Sequence, residues 1–138
     1  MTKYVLSIDG GGVRGLASAT FLSELDKAVP KKLSESFDLI VGTSTGGIIA
    51  LAISILDLQK DDLVQIYSKE NIKRIFSPFR YRVFGSKYAG KVKRKVFKEY
   101  FKSETLEAAK IPTMITAFDL EKRRVKMFKS WTEGYLPA

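Results

Sequence analysis

At 138 residues, 45% hydrophobic and 12% aromatic, the chain is long enough to bury one core and too apolar to be disordered. It has neither cysteine nor histidine, which excludes a disulfide framework, thiolate or imidazole metal sites, and a Ser-His-Asp triad built from this chain alone. The net charge of +9 is concentrated in one stretch, since residues 69–102 hold twelve Lys or Arg against two Glu.

The first apolar-leaning residues, 4–8 (YVLSI), are too few for a signal-peptide core, so a cytoplasmic protein is expected. They read as a short strand ending in Asp9-Gly10-Gly11-Gly12-Val13-Arg14-Gly15. Residues 16–29 follow with helical periodicity, placing Leu16, Ala19, Leu22, Leu25 and Val29 on one face. Pro30 closes that helix, and residues 31–36 form a polar link. A second unit repeats the order: strand 37–41, the tight sequence Gly42-Thr43-Ser44-Thr45-Gly46, then a helix over 45–56 that is apolar nearly all round and therefore buried. The longest apolar run, 46–56, has about half of the ~20 residues a membrane helix needs. Two successive strand–helix units predict a parallel sheet with right-handed crossovers.

Asp62 and Gln65 form a candidate capping box for a helix running to residue 76. Residues 77–90, with Pro78, Gly85 and Gly90, read as an irregular loop. A helix over 91–101 then sets Val92, Val96, Phe97, Tyr100 and Phe101 on one stripe and Lys91, Lys93, Arg94, Lys95 and Lys98 away from it. Residues 112–120 and 124–130 read as two strands joined by Glu121-Lys122-Arg123. The last residues, 131–138, carry no cap signal and look like an interruption.

Two glycine motifs carry the chemistry. Gly42, Ser44 and Gly46 give the G-x-S-x-G of a nucleophile elbow, in which a serine sits on a strained strand-to-helix turn and the glycines let neighbouring backbone pass. Gly10, Gly12 and Gly15 satisfy G-x-G-x-x-G, the dinucleotide-binding fingerprint. That reading wants an acidic residue at the end of the second strand for the ribose, and Asp38 lies at the other end. The alternative uses the same amides beside a helix N-terminus, with Arg14 adding positive charge, to hold the oxyanion of an acyl intermediate.

These two motifs together, with weaker likeness through residues 112–120 and Met127-Phe128, resemble the patatin-like phospholipase family. The resemblance implies a three-layer α/β/α fold with a mostly parallel sheet. Residues 1–138 would be the N-terminal portion of that domain, truncated before its last strands. It also implies phospholipase A-type hydrolysis of glycerolipid carboxylic esters by a Ser-Asp dyad, with Ser44 as nucleophile and Gly10, Gly11, Gly12 and Arg14 around the oxyanion. No metal or cofactor is implied. The family's aspartate lies in a later Asp-Gly-Gly or Asp-Gly-Ala motif, whereas the only Asp-Gly here is Asp9-Gly10. The base is therefore expected beyond residue 138, and this chain alone is expected to be inactive; a catalytically dead relative and a nucleotide-binding module are the alternatives. Asp119 reads as a turn residue, and Asp9 and Asp38 as fixing loop and strand-end geometry. The basic stretch is either a solvated helix face or a contact for anionic lipid, making the protein peripheral at membranes; no nucleic-acid partner is expected.

Overall fold

A computed structural model describes residues 2–76 and 87–131, with side chains for 2–73 and 94–131. The predicted loop over 77–86, the side chains of Lys91, Val92 and Lys93, and the ending over 132–138 lie outside the described residues.

Four strands form one sheet in the order of the chain: β1 (Val5–Ile8), β2 (Leu39–Thr43), β3 (Thr113–Asp119) and β4 (Arg124–Lys129). The first three are parallel, and β4 returns antiparallel to β3, as the two strand–helix units and the charged turn predict. Asp119 makes that turn, because its carboxylate accepts the amides of Glu121 and Lys122 at 3.1 and 3.0 Å. β2 begins and ends two residues later than the sequence pattern suggests. Asp38 stands outside the ladder instead, accepting the Tyr4 amide at 2.8 Å and the Lys3 ammonium at 2.7 Å.

Among the described residues six α-helices accompany the sheet: α1 (Gly15–Ala28), α2 (Leu33–Ser36), α3 (Thr45–Ser54), α4 (Asp61–Gln65), α5 (Lys69–Phe76) and α6 (Lys87–Phe101). The expected helix over 45–56 is α3, which ends at Ser54 and is buried on nearly every side. It packs across β1, β2 and β3, where Ile8, Ile40, Ile49 and Ile53 join one core with Ala19, Leu22, Leu33 and Leu63.

Strand order that follows chain order, with right-handed crossovers, sends every connecting helix to the same face. Register separates the two faces. Ile8, Ile40 and Ile115 point toward α3, whereas Val5, Phe118, Val125 and Met127 alternate to the other side and are 55%, 58%, 60% and 47% exposed. Of the three layers expected, the described residues therefore supply the sheet and one helical layer.

Four local expectations need correction. The buried stripe of α1 is Gly15, Ala19, Leu22, Ser23 and Asp26, so Leu16 faces outward. Asp26 turns inward because its carboxylate accepts the amides of Leu33 at 3.2 Å and Lys60 at 3.0 Å, tying α1 to two loops. The polar link after Pro30 contains α2, held by buried Leu33. The predicted helix from Asp62 is two helices with no side-chain cap on the first: Lys60 occupies that position, and the Asp62–Gln65 box does not form. The break falls at Ser68, whose Oγ accepts the Asn71 amide at 3.3 Å while the Gln65 carbonyl accepts both the Ser68 amide at 3.0 Å and the Asn71 side-chain amide at 3.1 Å. Finally, α6 starts at Lys87 and runs through Gly90, one glycine inside a helix costing only about 1 kcal/mol.

Beyond α3, Asp57 braces the fold. Its carboxylate accepts from Lys32 at 2.8 Å, Ser34 at 2.7 Å and Lys110 at 3.0 Å. Burial alone would raise its pKa, but these three donors outweigh burial and hold it at about 2 against the unperturbed 3.8. A carboxylate depressed on folding contributes stability that is complete above its unfolded pKa and is lost as pH falls through its folded one. The margin by which the native chain exceeds Asp57→Asn in urea-unfolding free energy is thus expected to shrink between about pH 5 and pH 2. A margin unchanged across that window would contradict the depressed pKa.

Candidate active site

β2 runs through Gly42 and Thr43 into Ser44 without a loop residue to spare. Ser44 takes φ 53 and ψ −121, and α3 starts at the next residue. A positive φ in a residue with a side chain costs of order 1–3 kcal/mol and persists only where surrounding structure imposes it. Here the imposing contacts are visible. A Cβ on Gly42 would stand 2.5 Å from the Gly46 carbonyl oxygen, and one on Gly46 would stand 2.1 Å from the Ile8 carbonyl oxygen. Both glycines are therefore needed for α3 to leave the strand at this angle and pass under the end of β1. The outcome is an exposed Ser44 at the carboxyl edge of the sheet, on the N-terminus of a buried ten-residue helix whose dipole favours negative charge there.

The glycine loop lies directly against this elbow. A Cβ on Gly10 would meet the Thr43 carbonyl oxygen at 2.8 Å and the Ser44 Cβ at 2.9 Å. Gly12 takes φ 60 and opens a single 3₁₀ turn, Gly12–Arg14, that leads into α1. Arg14 folds back along the loop, with Nε 3.9 Å from where a Gly11 Cβ would stand. At Gly15 the backbone passes under Tyr67, whose hydroxyl would lie 2.2 Å from an added Cβ. Gly10 is thus packed against Ser44, and Gly11, Gly12 and Arg14 follow it in the same loop.

One amide of the loop is already committed. The Gly11 N–H donates to Thr45 Oγ1 at 3.1 Å. The Thr45 carbonyl in turn receives a long contact of 3.5 Å from the Tyr67 hydroxyl. Neither Thr45 nor Tyr67 stands out in the sequence: Thr45 occupies a free position of G-x-S-x-G, and no spacing connects Tyr67 to the loop. On the neighbouring strand, Thr116 shares a 2.7 Å hydrogen bond with Thr43, the residue before Ser44.

A serine strained onto a strand–helix turn beside a glycine loop has the geometry of a nucleophile elbow on an α/β fold. The patatin-like phospholipase family model matches residues 6–134, and the chain belongs to that family. It is 33% identical to Patatin-17 of Solanum cardiophyllum, over 90% of this chain and 35% of that protein. Against the cGAMP-activated phospholipase of Pseudomonas aeruginosa it is 31% identical, over 94% of this chain and 40% of that protein. It is 30% identical to the "Probable inactive patatin-3-Kuras 1" of Solanum tuberosum, over 90% and 36%. The chain thus spans no more than about two fifths of the length of these relatives.

The packing makes a direct prediction about the elbow. Gly46→Ala drives a methyl group into the Ile8 carbonyl, a backbone atom that cannot swing aside, whereas Gly12→Ala has open space and meets only the strain of its positive φ. Thermal unfolding is expected to show Gly46→Ala unfolded or severely destabilised and Gly12→Ala folded with a loss of about 1–3 kcal/mol. Equal stability of the two variants would contradict the close approach of α3 and β1.

Proposed function

We propose that the full protein is a lipid acyl hydrolase that cleaves carboxylic esters of glycerolipids through Ser44, with its base, an aspartate, supplied beyond residue 138. The observation that carries this reading is the exposed Ser44 at φ 53, with the Gly10 backbone packed against it. In the reaction Ser44 Oγ attacks the ester carbonyl and gives its proton to the base. The oxyanion that forms is held by loop amides at the positive end of α3. Collapse expels the alcohol, which takes a proton, and water then releases the fatty acid from the acyl-serine.

Because the Gly11 amide is engaged by Thr45, we assign the oxyanion to Gly12 and to the amide of the residue after the nucleophile, Thr45, with Arg14 adding positive charge. The same engagement disfavours the nucleotide-binding alternative, because it removes the Gly11 amide from the set a pyrophosphate would use. The relative named as inactive shows that family membership alone does not guarantee turnover, so the proposal is tested on activity.

In the full-length protein, Ser44→Ala is expected to lower fatty-acid release from phospholipid vesicles by at least about 10³-fold, and the 138-residue chain alone to give no burst from a p-nitrophenyl ester. Release that survives Ser44→Ala would overturn the assignment.

For the surface that meets lipid we propose the basic face of α6. Val96 is fully buried while Arg94, Lys95 and Lys98 are exposed, and each basic residue near an anionic membrane contributes about 1 kcal/mol. α6 packs against α5, which in turn touches the 3₁₀ turn of the glycine loop, so lipid bound there would lie near the oxyanion site. Co-sedimentation with phosphatidylserine vesicles is expected to fall with added salt and to weaken in a Arg94→Glu, Lys95→Glu, Lys98→Glu variant. Equal sedimentation with neutral vesicles would argue against it.

A further inference from the structure

The glycine loop is held at both ends by buried side chains, which are distinct from the backbone amides assigned to the oxyanion. At one end Thr45, 3% exposed, presents Oγ1 to the Gly11 amide at 3.1 Å. At the other, Tyr67, 4% exposed, lies so close over Gly15 that no side chain fits between them, and its hydroxyl reaches back to the Thr45 carbonyl. Burial raises the Tyr67 pKa, so the phenol stays protonated and remains a donor. Thr45 thus belongs to the elbow by its backbone, to the glycine loop by its side chain, and to the core beyond α4 through Tyr67.

Oxyanion stabilisation depends on donors fixed before the reaction, and a displacement of about 1 Å can cost about 10²-fold in rate. We propose that Thr45 is a positioning residue of the acyl-transfer site. Its Oγ1 fixes the glycine loop, through the Gly11 amide, at the separation from Ser44 at which the oxyanion is received, with Tyr67 bracing the far end of the loop. The inference rests on Ser44 being the nucleophile. It explains why the position carries a hydroxyl although it is fully enclosed: an apolar isostere would fill the same volume and leave the Gly11 N–H without its acceptor.

The test uses the full-length protein and three variants, Ser44→Ala, Thr45→Val and Thr45→Ser. Ester hydrolysis and the rate of Ser44 labelling by a fluorophosphonate are measured alongside thermal unfolding. Thr45→Val is expected to lower kcat and the labelling rate by about 10- to 100-fold with KM within about twofold, because the defect lies in the transition state rather than in substrate binding. Thr45→Ser keeps the acceptor and is expected to bring both rates back to within about threefold of the native protein. If the native protein is labelled but Thr45→Val reacts and turns over like it, or Thr45→Ser fails as badly as Thr45→Val, the positioning role is wrong while the nucleophile assignment stands. If the native protein is not labelled at Ser44, both fall. Should Thr45→Val not fold, hydrogen exchange in the native protein decides: a protected Gly11 amide agrees with the clamp, and one that exchanges as fast as an exposed glycine overturns it.

Discussion

The Ile8 carbonyl and the Gly46 backbone occupy neighbouring space that no side chain could share, and the remaining architecture follows from that approach. It brings the N-terminus of α3 under the end of β1. That placement forces Ser44 into its left-handed conformation and delivers the loop after β1 onto the serine. A ten-residue helix as apolar as α3 tolerates this only because burial on nearly all sides outweighs the local strain. The site is thus a consequence of core packing, and core and chemistry cannot be altered independently at Gly42 or Gly46.

Around this crossing the chain uses buried and half-buried polar groups as fasteners. Asp26 ties α1 to the segments before α2 and α4, and Asp57 gathers Lys32, Ser34 and Lys110 at the end of α3. Thr45 does the same between elbow and loop. Each satisfies backbone or cationic donors where two elements meet, the use of a buried polar residue that repays its desolvation. On the other side of the sheet, Val5, Phe118, Val125 and Met127 form an apolar face that the one-directional strand order leaves without helices among the described residues.

Much of this could be read from the sequence, for physical reasons that differ by element. The elbow and the glycine loop were legible because only glycine survives backbone contacts of this kind, so geometry is written directly into residue identity. α3 was legible because a helix apolar on every side has nowhere to go but the core. The sequence was a poorer guide where polar residues turn inward. Asp26 and Ser23 displaced Leu16 from the buried face of α1 because their partners, Lys60 and Asp61, come from a distant segment, and Ser68 with Asn71 cut one helix into two through local side-chain hydrogen bonds; hydrophobic periodicity registers neither. The partner of the Gly11 amide was similarly hidden. Three consecutive glycines look equivalent in a sequence, yet a threonine 34 residues away distinguishes Gly11 from its neighbours.

The central claim is that the packing of the glycine loop on the elbow makes an oxyanion site in which Gly11 holds the loop while its neighbours serve the reaction. A crystal structure of the full-length protein carrying a phosphonate on Ser44 tests this most directly. The account predicts a phosphonyl oxygen about 2.7–3.1 Å from the amides of Gly12 and Thr45, with the Gly11 amide still on Thr45 Oγ1. A phosphonyl oxygen turned away from the loop, or a Gly11 amide released from Thr45 to bind it, would contradict the account.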